Sequence, residues 1–485
     1  MSRVVISTRD FDDYPFSTPW SYLTDKDGQA CKGTITQFDD TIVCVSPHRT
    51  FSLNALIEVP AFGKVVLRTN VIKPDKKKIN LLDAFVQGRI DQINNEIHKE
   101  NSLIPRKILQ DFHTIVREKN TLQKLSKLMF LGEKIVLTAA RKKLDLKIRS
   151  GVAKNIKMGG QAFGIQTGRR YAVLHERLYD LGVAPLYFFL LKGISQKHTD
   201  WTLTDQIVNW LVRQGKIVKG HPLIWLHKYA LPEWMKNLNF EQLKKFLTTH
   251  VTEVVNRYKD RIKIWDITNE FATADANGFD LTIEQLLEIL ALVSRLVKKL
   301  QPDSHRIVNF TDIWAAGGFV HDKPTVPPVH FLNLCKKRGV EFDAIGLQFY
   351  MGLKKDFTCR ELLNINQTID EFVHFGKPIH FSEMGFPSKH DVDPGCFFSS
   401  DHPAAGGFWH RPWDEKLQAD FLAKLLTLYA SKPNVLSIIW WDLTDNGEGQ
   451  DVGSRFLTFS GLSRRDFSLK PAAYEWLKFK KRLLI

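Results

Sequence analysis

The feature that most constrains the fold is an alternation of short apolar runs with amphipathic helices over the last two thirds of the chain. The runs are rich in β-branched and aromatic residues, which favour strands. They occupy residues 161–166, 184–192, 216–225, 262–269, 306–312, 343–350, 378–383 and 436–443. Helical spacing of apolar residues separates them, for example at Leu286, Leu290 and Leu296. Eight strands that are each followed by a helix predict an α/β fold, a (β/α)8 barrel over residues 156–485.

A doubly wound sheet is the alternative for such an alternation. That fold is built around a glycine-rich loop that binds phosphate groups after its first strand. The chain has no such loop, and it has eight strand-like runs. The barrel is therefore the better interpretation.

A different pattern precedes the barrel. Residues 1–75 contain short β-runs such as "GTITQF", "TIVCVS" and "KVVLRT", separated by turn residues. They predict a small β-sandwich-like domain, either a carbohydrate-binding module or a structural cap. Residues 76–155 are predicted to form a helical connecting segment that packs with the barrel, because Leu82, Phe85, Ile93 and Ile97 follow helical spacing.

Charge and cysteine content exclude several classes of protein. The net charge is +15, but Lys and Arg are spread along the chain without a nucleic-acid recognition motif, so no nucleic-acid partner is expected. The five cysteines lack the spacing of a metal site or a disulfide framework. No run reaches the roughly 18 apolar residues of a membrane span, and "MSRVVISTRDFDDYPF" lacks a signal-peptide core. We expect no membrane partner and either a cytoplasmic location or export by an unrecognised route.

Polar and aromatic residues follow most of the predicted strands, where a barrel places its active groups. They are His221 and Trp225 on the third strand, Asn269 and Glu270 on the fourth, Gln348 and Tyr350 on the sixth, Glu383 on the seventh and Trp441 on the eighth. Two carboxylates that face each other across a bond are what glycoside hydrolysis requires. Tryptophan rings suit the apolar faces of sugar rings.

Six segments carry a resemblance to a known family. In order they are "KGHPLIW", "IWDITNE", "DAIGLQFY", "PIHFSE", "WWDLTD" and "LKPAAY". Together they resemble the strand-end motifs of the family-10 glycoside hydrolases, the xylanase barrels, over about residues 160–485. The resemblance implies retaining hydrolysis of β-1,4-linked xylan without a cofactor or a metal, with Glu270 as the acid/base and Glu383 as the nucleophile.

The resemblance also implies a set of sugar-binding residues. Asn269 would bond the 2-hydroxyl of the sugar at the cleaved linkage, and Gln348 would lie beside the nucleophile. His221 and Trp225 would line the same subsite, with Trp441 as its floor. The expected partner is thus a β-1,4-linked glycan or oligosaccharide.

Three positions depart from the family pattern. The family's second strand ends in Glu-Asn-x-x-Lys, where this chain keeps Lys192 but has Phe188 and Phe189 at the other two positions. The family also pairs a His on the sixth strand with an Asp on the seventh, where this chain has Tyr350 and Gly385. We interpret Lys192 as a sugar-binding residue and Tyr350 as a substitute donor that orients Glu383.

These departures keep alternatives open. The first is a retaining β-glycanase with a different sugar specificity, because apolar rings replace hydroxyl-binding groups on the second strand. The second is a carbohydrate-binding barrel with altered or lost activity. The third is a basic scaffold for acidic polymers, which would bind through the helices of residues 76–150.

Overall fold

The computed structural model describes residues 1–9, 17–26, 28–73, 79–119, 121–228, 230–271, 273, 276–314, 326–351, 360–389, 408–445 and 459–485, and it gives no side-chain description for residues 17–20 and 64. The first described elements are eight short strands. They are β1 (Ser2–Ser7), β2 (Ser17–Thr24), β3 (Ala30–Cys31), β4 (Thr34–Phe38), β5 (Thr41–Ser46), β6 (Ser52–Val59), β7 (Gly63–Arg68) and β8 (Ile79–Asn80). They form two four-stranded sheets, with the orders β4-β5-β1-β8 and β3-β2-β6-β7. The extra β-rich region before the barrel is therefore present, as predicted.

Three helices follow the sheets. They are α1 (Leu81–Lys99), α2 (Arg106–Val116) and α3 (Thr121–Arg149). Buried polar contacts join them to the barrel: Arg89 forms an ion pair of 2.8 Å with Glu361, and Glu133 accepts a hydrogen bond from Trp409 Nε1 at 3.0 Å. Breaking one side of a buried ion pair typically costs about 3–5 kcal/mol, so these contacts specify how the helices dock. The division into residues 1–75, 76–155 and 156–485 stays a prediction.

The barrel itself is a closed ring of eight parallel strands. They are β9 (Lys157–Gln161), β10 (Leu181–Pro185), β11 (Ile217–His221), β12 (Ile264–Asn269), β13 (His305–Phe310), β14 (Ala344–Tyr350), β15 (Ile379–Gly385) and, after the short hairpin β16 (Phe408–Trp409) and β17 (Arg411–Pro412), β18 (Val435–Trp440). The helices are α4 (Arg169–Leu178), α5 (Phe188–Leu191), α6 (Thr202–Arg213), α7 (Phe240–Tyr258), α8 (Ile283–Leu300), α9 (Pro328–Lys337), α10 (Leu362–Val373), α11 (Glu415–Ser431) and α12 (Pro471–Leu483). The predicted (β/α)8 barrel is confirmed.

The predicted bounds of the first two barrel strands were wrong. The first barrel strand, β9, begins four residues before the predicted run 161–166 and ends at Gln161. The pattern missed it because its centre is Gly159-Gly160, and glycine lacks the side chains that mark a strand. A Cβ atom at Gly160 would lie 2.3 Å from Cε2 of Tyr179, so the ring of Tyr179 requires glycine there. β10 ends at Pro185, and the second half of the predicted run 184–192 contains the short buried helix α5 instead. A short apolar run does not distinguish a strand from a buried helix.

Local sequence signals explain where two of the barrel helices begin. Asn239 precedes α7, and its side chain accepts a hydrogen bond from the Gln242 backbone while the Gln242 side chain accepts one from the Asn239 backbone. Thr282 and Gln285 form the same reciprocal cap before α8. Such caps satisfy backbone donors that the helix itself leaves unpaired. None of the described helices is long and apolar enough to cross a membrane.

Candidate active site

Glu270 leaves the end of β12 with an unusual backbone conformation. Its φ is +61°, in the left-handed region that non-glycine residues seldom adopt. Its backbone N–H donates to the carbonyl oxygen of Asn309 on the neighbouring strand β13, at 2.8 Å. Backbone strain of this kind persists where surrounding contacts hold it, often at functional sites. Here this conformation directs the half-buried carboxylate of Glu270 toward the barrel mouth.

Glu383 lies on β15 and is only 4% exposed. Its Oε1 accepts hydrogen bonds from Asn309 Nδ2 at 3.0 Å and from Gln348 Nε2 at 3.1 Å. Its Oε2 accepts a hydrogen bond from the Tyr350 hydroxyl at 2.7 Å. Three donors from two neighbouring strands therefore fix this carboxylate in position.

Gln348 connects the two glutamates. Its Nε2 lies 2.9 Å from Glu270 Oε1 and 3.1 Å from Glu383 Oε1, so these two oxygens are at most about 6 Å apart. A retaining glycosidase has its two carboxyl groups about 5–5.5 Å apart, whereas an inverting enzyme separates them by about 6.5–9.5 Å. The geometry matches the shorter arrangement.

Asn269 completes the polar network. Its Oδ1 accepts a hydrogen bond from Asn309 Nδ2 at 2.7 Å and lies 3.2 Å from Gln348 Nε2, whose two hydrogens serve the glutamates. Asn309 also accepts a hydrogen bond from the Ser382 hydroxyl. Because the amide oxygen of Asn269 is occupied, its NH₂ group is the part that can bind a ligand hydroxyl.

A buried charged group lies beneath the glutamates. Lys219 pairs with Asp266 Oδ2 at 2.8 Å, and the same oxygen lies 2.6 Å from His221 Nδ1. The other nitrogen of His221, Nε2, is 3.6 Å from Glu383 Oε1. Burial lowers the pKa of His221 below its ordinary value, although Asp266 opposes that effect. Burial alone would raise the pKa of Asp266, but Lys219 and His221 hold it below its usual range.

The pKa of Glu383 is raised well above its ordinary value. Burial is the largest cause, and the negative charge of Glu270 raises the pKa further. The hydrogen bond from Tyr350 and the charge of Lys219 act in the opposite direction.

Aromatic side chains form the opposite side of the mouth. Trp225 is half-buried and donates through Nε1 to Glu270 Oε2 at 2.8 Å. Tyr187 lies between Trp225 and Phe163, with ring centroids 5.5 Å and 5.7 Å away. Trp441 packs edge-on against His221 at 5.2 Å. His221, Trp225 and Trp441, which the sequence placed at strand ends, are thus brought together.

Lys192 does not lie with these residues at the barrel mouth. Its ammonium group is buried and binds Glu253 Oε2 at 2.8 Å and Thr199 Oγ1 at 2.5 Å, away from the two glutamates' network. The interpretation of Lys192 as a sugar-binding residue rested on β10 extending to residue 192, whereas α5 turns the chain away after Tyr187. Phe188 packs against Phe246 in the core, and Tyr187 takes the position at the mouth.

The two other departures from the family pattern are neighbours in the structure. Tyr350 pairs with Gly385 in the register of β14 and β15. A Cβ atom at Gly385 would meet the Tyr350 ring in ordinary van der Waals contact, at 3.4 Å. The two departures thus occupy one cross-strand pair.

Sequence reasoning missed several residues of the network. Asn309 and Asp266 point from β13 and β12 into the same polar cluster, and Lys219 lies one strand further on. The available signal was a polar residue inside an otherwise apolar strand, as in "RIVNF" and "KIWDI". Tyr187 carried no such signal, because it lies in a run of apolar residues.

No group of three or more His, Cys, Asp or Glu side chains in the described ranges could hold a metal ion. Three of the cysteines, Cys31, Cys44 and Cys335, are buried free thiols. The chemistry available at the mouth is that of carboxylates, amides, a phenol and aromatic rings.

Comparisons with known proteins identify the family of the barrel. Residues 192–450 match the model of glycosyl hydrolase family 10. Endo-1,4-beta-xylanase 3 of Hypocrea jecorina is 30% identical over 161 residues, which are 32% of this chain and 44% of that protein. Endo-1,4-beta-xylanase B of Thermotoga neapolitana is 25% identical over 251 residues, 50% of this chain and 63% of the relative. The matches span less than two thirds of these relatives.

Solved structures show the same fold. The GH10 structure from Paenibacillus barcinonensis superposes with a TM-score of 0.53 at 18% identity, covering 68% of this chain and 96% of that one. Xylanase 10B from Thermotoga petrophila, in complex with xylobiose, gives a TM-score of 0.52 at 22% identity, covering 70% and 97%. Because the family model matches more than half of the residues of this chain, the chain belongs to glycosyl hydrolase family 10.

Proposed function

We propose that this protein is a retaining glycoside hydrolase that cleaves β-1,4-linked xylan or xylo-oligosaccharides by double displacement. The observation that carries the proposal is the position of Gln348, whose Nε2 bonds Glu270 at 2.9 Å and Glu383 at 3.1 Å. Because these two oxygens share one donor they are at most about 6 Å apart, which supports the short carboxyl spacing of a retaining enzyme.

In the first step Glu383 attacks the anomeric carbon. Its Oε1 accepts two amide hydrogen bonds, which occupy both lone-pair directions. Its Oε2 accepts only the Tyr350 hydroxyl within the described residues and is the oxygen that attacks. The new C1–Oε2 bond forms as the glycosidic C1–O bond breaks, and Glu270 gives its proton to the departing oxygen.

In the second step a water molecule replaces the departed sugar. Glu270, now ionised, takes a proton from that water as the water oxygen bonds to C1. The C1–Oε2 bond breaks, and Glu383 becomes a carboxylate again. The product retains the β configuration because both displacements invert the same centre.

The amides around the glutamates support these steps. Asn309, Gln348 and Tyr350 donate to Glu383, and these hydrogen bonds favour the ionised form that attacks, against the burial that raises its pKa. The NH₂ group of Asn269 would bond a sugar 2-hydroxyl, an interaction that strengthens in the transition state of glycosidases. Trp225 holds Glu270 through its indole N–H.

The choice of xylan rests on the relatives, which are named endo-1,4-beta-xylanases. A second candidate is a retaining β-glycanase with a different sugar preference, and Tyr187 favours it. Tyr187 and Phe189 stack with ring centroids 5.2 Å apart at the end of the second barrel strand, where the family carries hydroxyl-binding groups. Aromatic rings there would select sugars by their faces rather than by individual hydroxyls.

Turnover of an aryl β-xylobioside tests the reaction, and proton NMR of the first product tests its stereochemistry. We expect the β-anomer to appear first and then to equilibrate by mutarotation. An activated 2-deoxy-2-fluoro-β-xylobioside should label Glu383, while a Glu383→Gln variant should remain unlabelled. Saccharide binding without turnover of any β-1,4-linked substrate would instead establish a binding barrel.

A further inference from the structure

Lys219 is a fully buried lysine on β11, and it touches no other charged group than a buried carboxylate within the described residues. Its ammonium group lies 2.8 Å from Oδ2 of Asp266, which is also fully buried. The desolvation of two buried charges can exceed their mutual attraction, and apolar side chains in their place are often as stable. The stability of the fold alone therefore does not account for this lysine.

Asp266 connects Lys219 to the barrel mouth. Its Oδ2 pairs with Lys219 and also lies 2.6 Å from Nδ1 of His221, whereas its Oδ1 has no hydrogen-bond partner in the described ranges. Burial alone would raise the pKa of Asp266, but Lys219 and His221 hold it below its usual range, so this carboxylate is ionised. An ionised carboxylate only accepts hydrogen bonds, so the proton of the short contact belongs to Nδ1 of His221.

The other ring nitrogen of His221 faces the mouth. Its Nε2 is 3.6 Å from Oε1 of Glu383, which is too long for a hydrogen bond. That oxygen already accepts hydrogen bonds from Asn309 and Gln348, which occupy its two lone-pair directions. A proton on Nε2 would find no open acceptor on this oxygen. The geometry therefore matches a neutral ring with its lone pair on Nε2.

The charges around His221 act on its ring in opposite directions. Burial is the largest cause that lowers the pKa of His221, and the charge of Lys219 lowers it as well, whereas Asp266 and Glu270 raise it. The other groups that face the ring are the carboxylate of Glu383 and the apolar rings of Tyr187 and Trp441. Three carboxylates thus favour an imidazolium, and Lys219 is the positive charge that opposes them.

We propose that Lys219 is a positioning residue of the barrel mouth: its charge balances Asp266, so that His221 stays neutral, with Nδ1–H bonded to Asp266 and Nε2 as an acceptor. A neutral Nε2 accepts a hydrogen bond from a ligand hydroxyl, whereas an imidazolium would donate one. A neutral ring also forms no ion pair with Glu383. The consequences for a sugar and for Glu383 rest on the proposed function, but the charge of His221 does not.

Nitrogen-15 NMR of histidine-labelled protein without substrate measures this state, because the ring nitrogens distinguish the two neutral tautomers from the imidazolium. His221→Gln identifies the signal among the 16 histidines. In the parent protein near neutral pH, we expect a neutral ring that is protonated at Nδ1. Lys219→Met removes the charge and should raise the titration midpoint of His221 by at least about one pH unit, as expected for the loss of a nearby like charge.

Two further variants provide the controls. Lys432 is another buried lysine that pairs with a carboxylate, Asp370 at 2.6 Å, between α11 and α10. Lys432→Met therefore removes a buried ion pair elsewhere and should leave the His221 signal unchanged. Lys219→Arg keeps the positive charge and should keep the parental titration of His221.

The proposal is overturned if His221 of the parent protein is an imidazolium or is protonated at Nε2 near neutral pH. It is also overturned if Lys219→Met and the parent protein give the same titration of His221. Lys219→Gln, which can still donate a hydrogen bond to Asp266 but carries no charge, replaces Lys219→Met if that variant does not fold. Because no substrate is present, a protein that hydrolyses nothing would still give the expected spectra, which separates this test from that of the proposed function.

Discussion

The side chains on the two sides of the barrel mouth are held in place by different kinds of contact. On the side of β12, β13, β14 and β15, amide and phenol donors reach both carboxylates, and almost every contact is a directional hydrogen bond. On the side of β18, β9 and β10, Phe163, Tyr187 and Trp441 meet as rings at centroid distances near 5–6 Å. Trp225 links the two sides, since it contacts Tyr187 and also donates to Glu270.

Under the proposed function, this difference would separate chemistry from recognition. Hydrogen bonds fix atoms to within tenths of an ångström, which the displacement at an anomeric carbon requires. Ring contacts tolerate changes of partner, because an aromatic face offers a surface rather than a matched donor. The departures from the family pattern fall on both sides: that of the second barrel strand lies on the aromatic side, whereas Tyr350 and Gly385 lie beside Glu383 on the hydrogen-bonded side.

The largest expected effect is the loss of either carboxylate. Glu383→Gln removes the nucleophile and should lower kcat by roughly 10⁴-fold or more, as for other nucleophiles that act in a concerted group. Glu270→Gln removes the proton donor and should lower kcat by roughly 10²–10⁴-fold for a substrate with a poor leaving group. Steady-state kinetics with alkyl and nitrophenyl glycosides measures both effects.

The leaving group provides the control for that comparison. A nitrophenolate departs without a proton, so Glu270→Gln should impair the first step less with the nitrophenyl glycoside, whereas Glu383→Gln should impair both substrates equally. Equal losses for Glu270→Gln on both substrates would contradict the assignment of Glu270 as the acid.

Much of the catalytic side was predictable from sequence, because its residues interrupt apolar strands. Glu270 and Glu383 are carboxylates at the ends of runs that otherwise read as buried, and Gln348 follows the same rule. The aromatic side was not predictable in the same way. Tyr187 belongs to "LYFFLL", where neither periodicity nor polarity shows which ring faces the mouth, and the answer depends on β10 ending at Pro185.

The first barrel strand and the buried amide of Asn309 illustrate the remaining limit of sequence patterns. Gly159 and Gly160 form a strand because Tyr179 and Leu181 pack onto them, a tertiary cause that no local propensity contains. Asn309 pairs in register with Asn269, which places the two amides side by side only once the barrel is closed. Long-range pairing, rather than composition, supplies these parts of the site.

The next effect should come from Tyr350, which occupies the boundary between the two sides. Tyr350→Phe removes the hydrogen bond that lowers the pKa of Glu383, so the pKa of Glu383 should rise further. Glu383 must be ionised to attack, so the acidic limb of the kcat/KM profile should move to higher pH. A hydrogen bond to a charged group contributes about 1.5–3 kcal/mol. Its loss should therefore lower kcat/KM by roughly 10–100-fold at pH values on the acidic side of the profile.

The control for Tyr350→Phe is Tyr429→Phe. Tyr429 is also a buried tyrosine, its ring stacks on Phe381 behind β15, and its hydroxyl has no partner among the described residues. Its removal should leave the pH profile unchanged. A Tyr350→Phe enzyme with the parental rate and the parental pH profile would show that the Tyr350 hydroxyl does not influence the pKa or the reactivity of Glu383.

A smaller effect is expected on the aromatic side. Tyr187→Ala should raise KM for xylo-oligosaccharides by about 3–10-fold, because a ring contact contributes roughly 0.5–1.5 kcal/mol, and it should leave kcat nearly unchanged. Tyr187→Phe keeps the ring and should keep the parental KM. A fall in kcat for Tyr187→Ala with an unchanged KM would place Tyr187 with the reacting groups and remove the distinction between the two sides.

The smallest effect on catalysis should come from Lys192, which lies behind the aromatic side. Its ammonium group binds Glu253, Thr199 and the carbonyl oxygen of Gln196, so Lys192→Met should leave kcat/KM within about twofold. The same change removes a buried hydrogen-bonded charge and should lower the free energy of unfolding by roughly 1–3 kcal/mol. Lys197→Met, at an exposed lysine of the same loop, controls for the loss of a positive charge. Denaturant unfolding and xylo-oligosaccharide kinetics measure the two effects. A tenfold rise in KM with parental stability would show that Lys192 binds the sugar, because a residue that only stabilises a loop would not change KM without changing stability.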